Sequence, residues 1–182
     1  MTEHICFFYR KKQFQSLSNF SAHTVTIDNS RKYLTGEHCF HGEKYYLIGN
    51  NTTDIVRKTK LLNHAKKFVE PSNYDTAAKA KRAGGKSGLA LTEDELEFWD
   101  SVNEEVQKKI SQWKVDNHLE VRKDLLDTGN KILIHPAMRC SLEKLKYRKW
   151  EGRMLEEPGK KNKVVGGNKL GQIWMEIRDS IQ

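Results

Sequence analysis

Residues 92–113 constrain the fold more than any other part of the chain. Thr92-Glu93-Asp94-Glu95 has the form of a capping box, and its acids suit the positive end of a helix dipole. Leu96, Trp99, Val102, Val106, Ile110 and Trp113 then recur at steps of three and four. That spacing predicts a long helix with one apolar face. Further helices are expected from Thr35 through Glu37, Phe40 and Lys44, and from Lys60 to Glu70, stopped by Pro71. Another is expected from a Ser72 cap through Ala77, Ala78 and Ala80 to Gly84-Gly85. His118–Leu126 predicts a shorter helix ended by Thr128-Gly129, and a final one begins near Asn168 with Leu170, Ile173, Trp174, Ile177 and Ile181 on one side. Strand signals are few: Ile5–Tyr9, His23–Ile27 with a return at Lys32–Leu34, and Lys131–His135 closed by Pro136. Gly152–Asn168 lacks periodicity and predicts a basic loop, either functional or merely mobile. Without alternating βαβ units, the pattern is an α+β fold, mostly helical, with a small N-terminal β-sheet, in one domain over residues 1–182.

Charge narrows the partners. Lys and Arg number 32 against 24 acids, a net +8, which suggests a polyanionic partner or ordinary surface solubility. The charges are unevenly spread. Nine basic residues face two acids between Arg57 and Lys86, and nine face four between Glu143 and Lys169. Seven acids and no basic residue lie between Glu93 and Glu105. No apolar run approaches the 18 residues of a membrane span, and the first twelve residues lack a signal-peptide pattern. The expectation is a cytoplasmic protein that does not engage a membrane. Cys6, Cys39 and Cys140 are dispersed and without a CxxC, so reduced thiols are expected.

Three local patterns invite chemistry. Gly85-Lys86-Ser87 resembles the end of a P-loop, but Ala80 stands where the motif needs glycine, and the preceding texture is helical rather than a strand. That reading is rejected; the Gly84-Gly85 amides either meet a phosphate or end a helix. His38 and His41, with Glu37 before them, lack a distant His/Cys cluster to complete a metal site, so no metal is expected. The third pattern is richer. On a helix, Glu37, His41 and Lys44 fall at i, i+4 and i+7 and share one face. Cleavage of an N-glycosidic bond builds positive charge at the sugar C1, which a carboxylate stabilises while it activates water. A nearby lysine neutralises phosphate or, when desolvated, attacks C1. The alternative is an ordinary solvated pair on a helix surface.

Ser18-Asn19-Phe20-Ser21 and Thr35-Gly36-Glu37-His38-Cys39-Phe40-His41-Gly42-Glu43-Lys44 resemble the SNFS … T-x-EHxFQAxK signature of the YbiA-like, or NADAR, family. Later pieces follow in order: Ala78–Gly85 is similar to A-K-x-x-G-R, and Glu97-Phe98-Trp99 falls at the DW element. Leu125–Gly129 is similar to LLxTG, and Gly167–Arg178 to GxNxLGxxLMxxR. The likeness spans about residues 7–179. It implies a YbiA-like fold and N-glycosidase chemistry that removes ADP-ribose from guanine in nucleic acid or nucleotides, with no cofactor or metal. It also implies a functional pairing with an ADP-ribosyltransferase.

By position the resemblance makes Glu37 the catalytic carboxylate and Lys44 its partner at the ribose. Asn19, Phe20, His38, His41, Lys81, Arg82, Trp99, Trp150, Glu151, Gly167 and Asn168 become the substrate-binding set, with Lys81 or Arg82 at phosphate and Trp99 either stacking or in the core. Two departures stand out. His41 replaces the family's glutamine, and Tyr147–Arg153 replaces D-x-x-W-G-x-G, keeping Trp150 and Gly152, with Glu151 the candidate to stand in for the lost acid. Two alternatives accompany the main expectation: hydrolysis of ribosylaminouracil phosphates of riboflavin synthesis, and a non-catalytic module that binds ADP-ribose or nucleic acid.

Overall fold

A computed structural model describes residues 3–7, 13–156 and 162–182. Helix takes up 53% of the described residues, in seven α-helices and a 3-10 turn beside short strands, an α+β fold. The chain packs as two compact units: residues 19–117, and residues 1–18 together with 118–182.

The first unit begins with an antiparallel pair, β2 (Val25–Ile27) and β3 (Arg31–Tyr33), in the register Ile27↔Arg31. Asp28 and Asn29 turn the chain with positive φ, a conformation their short polar side chains tolerate. Helix α1 (Gly36–Asn51) follows at the predicted Thr35 cap. Helix α2 runs Ile55–Lys66, starting earlier and stopping earlier than the sequence pattern predicts. Asp54 starts it, its carboxylate accepting from the amides of Val56 and Arg57. Ile55 and Val56 in its first turn are exposed, so hydrophobic periodicity does not mark that end.

Helix α3 (Ala77–Gly84) is capped by Thr76 rather than Ser72. The Ser72 hydroxyl instead bonds the Lys67 carbonyl and accepts from the Tyr74 amide, closing the turn before it. Helix α4 (Glu93–Asn117) carries the capping box as predicted: Glu95 N–H donates to Thr92 Oγ1, and Thr92 N–H to the Glu95 carboxylate. Arg57 binds that carboxylate through Nε at 2.7 Å and Nη2 at 2.6 Å, tying α2 to the start of α4. Tyr33, Cys39, Tyr45, Ile48, Leu61, Phe68, Ala80, Trp99 and Ile110 form the core.

In the second unit, β1 (His4–Cys6) lies parallel to β4 (Ile132–Ile134), with Ile5 opposite Leu133. The strands thus form separate two-stranded ladders rather than one N-terminal sheet. Helix α5 (Leu119–Asp127), the 3-10 turn Gln15–Leu17 and the short α6 (Leu142–Leu145) complete its first part. The stretch expected to be a loop holds a hairpin of β5 (Arg153–Leu155) and β6 (Lys163–Val165), while the Pro158-Gly159 turn signal lies outside the described residues. Helix α7 (Lys169–Ile181) buries Trp174, whose indole N–H donates to the Leu17 carbonyl at 3.0 Å. Arg178 grips the end of α5 through Thr128 Oγ1 and the Lys131 carbonyl, both at 2.9 Å. None of Cys6, Cys39 and Cys140 is joined in a disulfide among the described residues. No helix among the described residues is long and apolar enough to cross a membrane.

Candidate active site

The first turns of α1 carry the candidate residues. Thr35 Oγ1 accepts from the His38 amide and also meets His38 Nδ1 at 2.8 Å. His38 Nε2 lies 2.8 Å from the Tyr74 carbonyl, which only accepts, so Nε2 bears the proton and Nδ1 accepts from the Thr35 hydroxyl. Burial pulls the His38 pKa down, and the ring is fully covered. Both of its nitrogens are therefore engaged within the protein.

Glu37 sits one residue earlier, with its side chain about 10% exposed. Its backbone N–H donates to the Asn19 carbonyl at 2.9 Å, which fixes the helix start against the Ser18–Ser21 segment. The Asn19 side chain makes a reciprocal pair with Gln107 of α4: Asn19 Nδ2 donates to Gln107 Oε1 at 2.8 Å, and Gln107 Nε2 donates to Asn19 Oδ1 at 3.2 Å. Asn19 thus positions Glu37 from behind, and Gln107 holds Asn19. Gly36 leaves the room this requires, because a Cβ there would fall 2.7 Å from Asn19 Oδ1. Gln107 escaped the sequence reading because it lies beside the apolar stripe, where a polar side chain reads as solvated.

Glu37 Oε1 meets His41 Nε2 at 3.3 Å and Lys81 Nζ at 3.9 Å. Lys81 is about 61% exposed, and its ammonium stands 5.3 Å from the centre of the Phe20 ring. Glu37, His41, Lys81 and Phe20 are thus brought together. Lys44 follows one turn after His41 and is buried, its ammonium donating to the Gly84 carbonyl at the C-terminal end of α3. That end of a helix favours a cation, yet desolvation prevails and lowers the Lys44 pKa to about 8. Gly84 also presses on His41, since a Cβ there would come within 2.1 Å of the ring. Its smallness, beyond ending a helix, lets α3 approach both groups.

Arg82 is exposed on α3. Trp99 is 6% exposed and packs edge-on against Phe40 with ring centres 5.0 Å apart, within the core. The remaining expected residues belong to the second unit. The Trp150 carbonyl accepts from His135 Nδ1 at 3.3 Å, and Lys149 Nζ stands 5.5 Å from its ring centre. Asn168, at φ 45°, accepts from the His135 amide at 3.0 Å, donates to the Leu133 carbonyl at 2.8 Å and through its own amide to the Glu151 carbonyl. It knits the exit of β4 to the start of α7. Gly167 donates to the Arg148 carbonyl, and a Cβ there would fall 2.4 Å from the Lys149 carbonyl.

Opposite the Glu37 face of α1, Glu43 is buried and receives the Tyr33 hydroxyl at 2.6 Å and Arg31 Nε at 2.7 Å. Burial pushes the Tyr33 phenol pKa up, and the Glu43 charge adds to it. Arg31 also lies over the Tyr46 ring, 3.9 Å from its centre. A cleft of about 450 Å³ opens here among Tyr46, Leu62, Val69 and Pro71, and none of the expected site residues line it. Among the described residues, no group of three His, Cys, Asp or Glu gathers as a metal ion would need.

The fold is α+β, and the family match over most of the chain supports, at the level of the family, a hydrolase of N-glycosidase type. The chain belongs to the NADAR family, whose domain matches residues 7–182. The NMR structure of the E. coli protein YbiA is similar at 24% identity and a TM-score of 0.60, over 100% of this chain and 86% of that one. No curated protein matches the chain.

Proposed function

We propose that this chain hydrolyses the N-glycosidic bond between ribose C1 and guanine in ADP-ribosylated nucleic acid or nucleotides. The observation that carries the reading is the Glu37 carboxylate, almost covered, in reach of His41 and Lys81 on the helix face that also bears a desolvated Lys44. As the C1–N bond breaks, its electron pair leaves with the base and positive charge grows on C1. Glu37 stabilises that charge, takes a proton from the water whose oxygen bonds to C1, and passes that proton to the departing base. Lys81 and Arg82, on the exposed side of α3, supply cations for the pyrophosphate. The site operates in the cytoplasm on a product of an ADP-ribosyltransferase, without a cofactor.

The test is an oligonucleotide bearing ADP-ribose on guanine, incubated with the protein and EDTA and read by mass. Wild type removes the adduct and Glu37→Gln binds it without turnover. Binding without turnover in wild type would make the chain a reader of the adduct. Neither binding nor turnover would direct attention to ribosylaminouracil phosphates.

A further inference from the structure

Of the two groups that meet Glu37 Oε1, His41 is the one whose chemistry the carboxylate mechanism leaves unused. It stands where the NADAR pattern has glutamine, and its geometry is unusual in two respects. Nε2 lies 3.3 Å from Glu37 Oε1. Nδ1 is buried and has no hydrogen-bond partner. The reason for the second is visible in α3: a Cβ on Gly84 would lie 2.2 Å from Nδ1, so the glycine backbone covers that edge of the ring. Phe40 meets the ring edge-on at 5.7 Å between centres, and Phe68 stands at 6.4 Å. The imidazole is boxed by apolar neighbours with one nitrogen left to act.

A carboxylate only accepts hydrogen bonds, so the contact requires a proton on Nε2. The other neutral tautomer would turn a lone pair toward Glu37 and bury an N–H with no acceptor, a double penalty. We propose that His41 is a positioning residue for Glu37: the box selects the Nε2–H tautomer, which pins Oε1 and so fixes the carboxylate. The role rests on the glycosidase reading for its consequence, while the tautomer itself is a property of the folded protein. It also accounts for the departure from the family pattern, because a glutamine amide at this position offers the same N–H to the same oxygen. Histidine offers it from a rigid ring, with fewer rotamers to order.

Two readouts separate the positioning role from the proposed activity. Long-range nitrogen–proton NMR on the uniformly labelled protein at neutral pH distinguishes the imidazole states, and His41→Gln identifies the signal that belongs to His41. The expected pattern is one protonated Nε2 and one bare Nδ1, with the Nε2 signal moving in Glu37→Gln. An Nδ1–H or doubly protonated pattern overturns the proposal whatever the enzyme does. In turnover of the adducted oligonucleotide, His41→Leu is expected to lower kcat roughly 10- to 100-fold with KM little changed, as loss of a bond to a charged group implies. His41→Gln is expected to restore most of that loss. Equal rates for wild type and His41→Leu overturn the positioning role. If His41→Leu fails to fold, a His41→Gln enzyme as slow as Glu37→Gln does so. Absence of turnover in wild type defeats the proposed activity instead, and the tautomer is then decided by NMR alone.

Discussion

Lys44 shows how far a single residue can be read from its spacing. Its place on the Glu37 face follows from i, i+7 arithmetic, and that much is legible. Its chemistry is not, because the environment that sets it comes from elsewhere in the chain: Gly84 of α3 supplies the carbonyl, and neighbouring elements remove the water. A lysine with a pKa near 8 is roughly one-tenth neutral at pH 7 and half neutral at pH 8. The sign is fixed by desolvation, which disfavours the cation, so the free amine appears below the range of a solvated lysine. After reductive methylation with carbon-13 formaldehyde, one dimethyl-lysine signal, absent in Lys44→Met, is expected to titrate near pH 8, below that of Lys123, which Asp127 holds in its charged form. If that signal titrates with the others, the amine is solvated and the buried description is wrong. The same limit explains Asn19. The sequence marks it as a site residue, but only the fold reveals that its side chain is committed to Gln107.

At the scale of elements, legibility tracks local chemistry. Helix α4 was predictable because its capping box and its stripe lie within one contiguous stretch, and α7 because its apolar side is regular. The start of α2 was hidden because Ile55 and Val56 are apolar yet exposed, and the β5–β6 hairpin because strands of three residues are too short to show a period. The clamp between Asn19 and α4 was invisible for a different reason: Asn19 and Gln107 are 88 residues apart. That clamp has a measurable consequence. Gln107→Leu removes one partner of a buried pair and leaves the Asn19 amide unsatisfied, an expected loss of about 1–3 kcal/mol in a denaturant melt. Gly36→Ala is expected to be at least as damaging, since its Cβ would collide with Asn19 Oδ1 where α1 begins. Unchanged stability in Gln107→Leu would mean that the Asn19–Gln107 pair adds nothing to the hold on Asn19.

For the whole molecule, the family was legible because several short pieces recur in order, a signal that survives when no single piece is diagnostic. The two-unit packing was not legible, because the second unit joins residues 1–18 to residues 118–182, and nothing local announces the pairing of β1 with β4. Net charge is a property of this scale as well. The +8 excess is concentrated in two stretches of sequence, one belonging to each unit. If those cations meet a nucleic-acid backbone, binding must release counterions, and the logarithm of affinity then falls linearly with the logarithm of salt. The measurement uses Glu37→Gln, so that the adduct survives, and titrates the adducted single strand between about 50 and 200 mM salt. Each phosphate neutralised contributes roughly 0.7 to the slope on a single strand, so Arg82→Ala is expected to flatten it by somewhat less than one. Free ADP-ribosylated guanosine, with only its pyrophosphate, should give a much shallower line on the same protein. Equal slopes for the two ligands would confine recognition to the ADP-ribosyl group and make a nucleotide, rather than a polymer, the natural substrate.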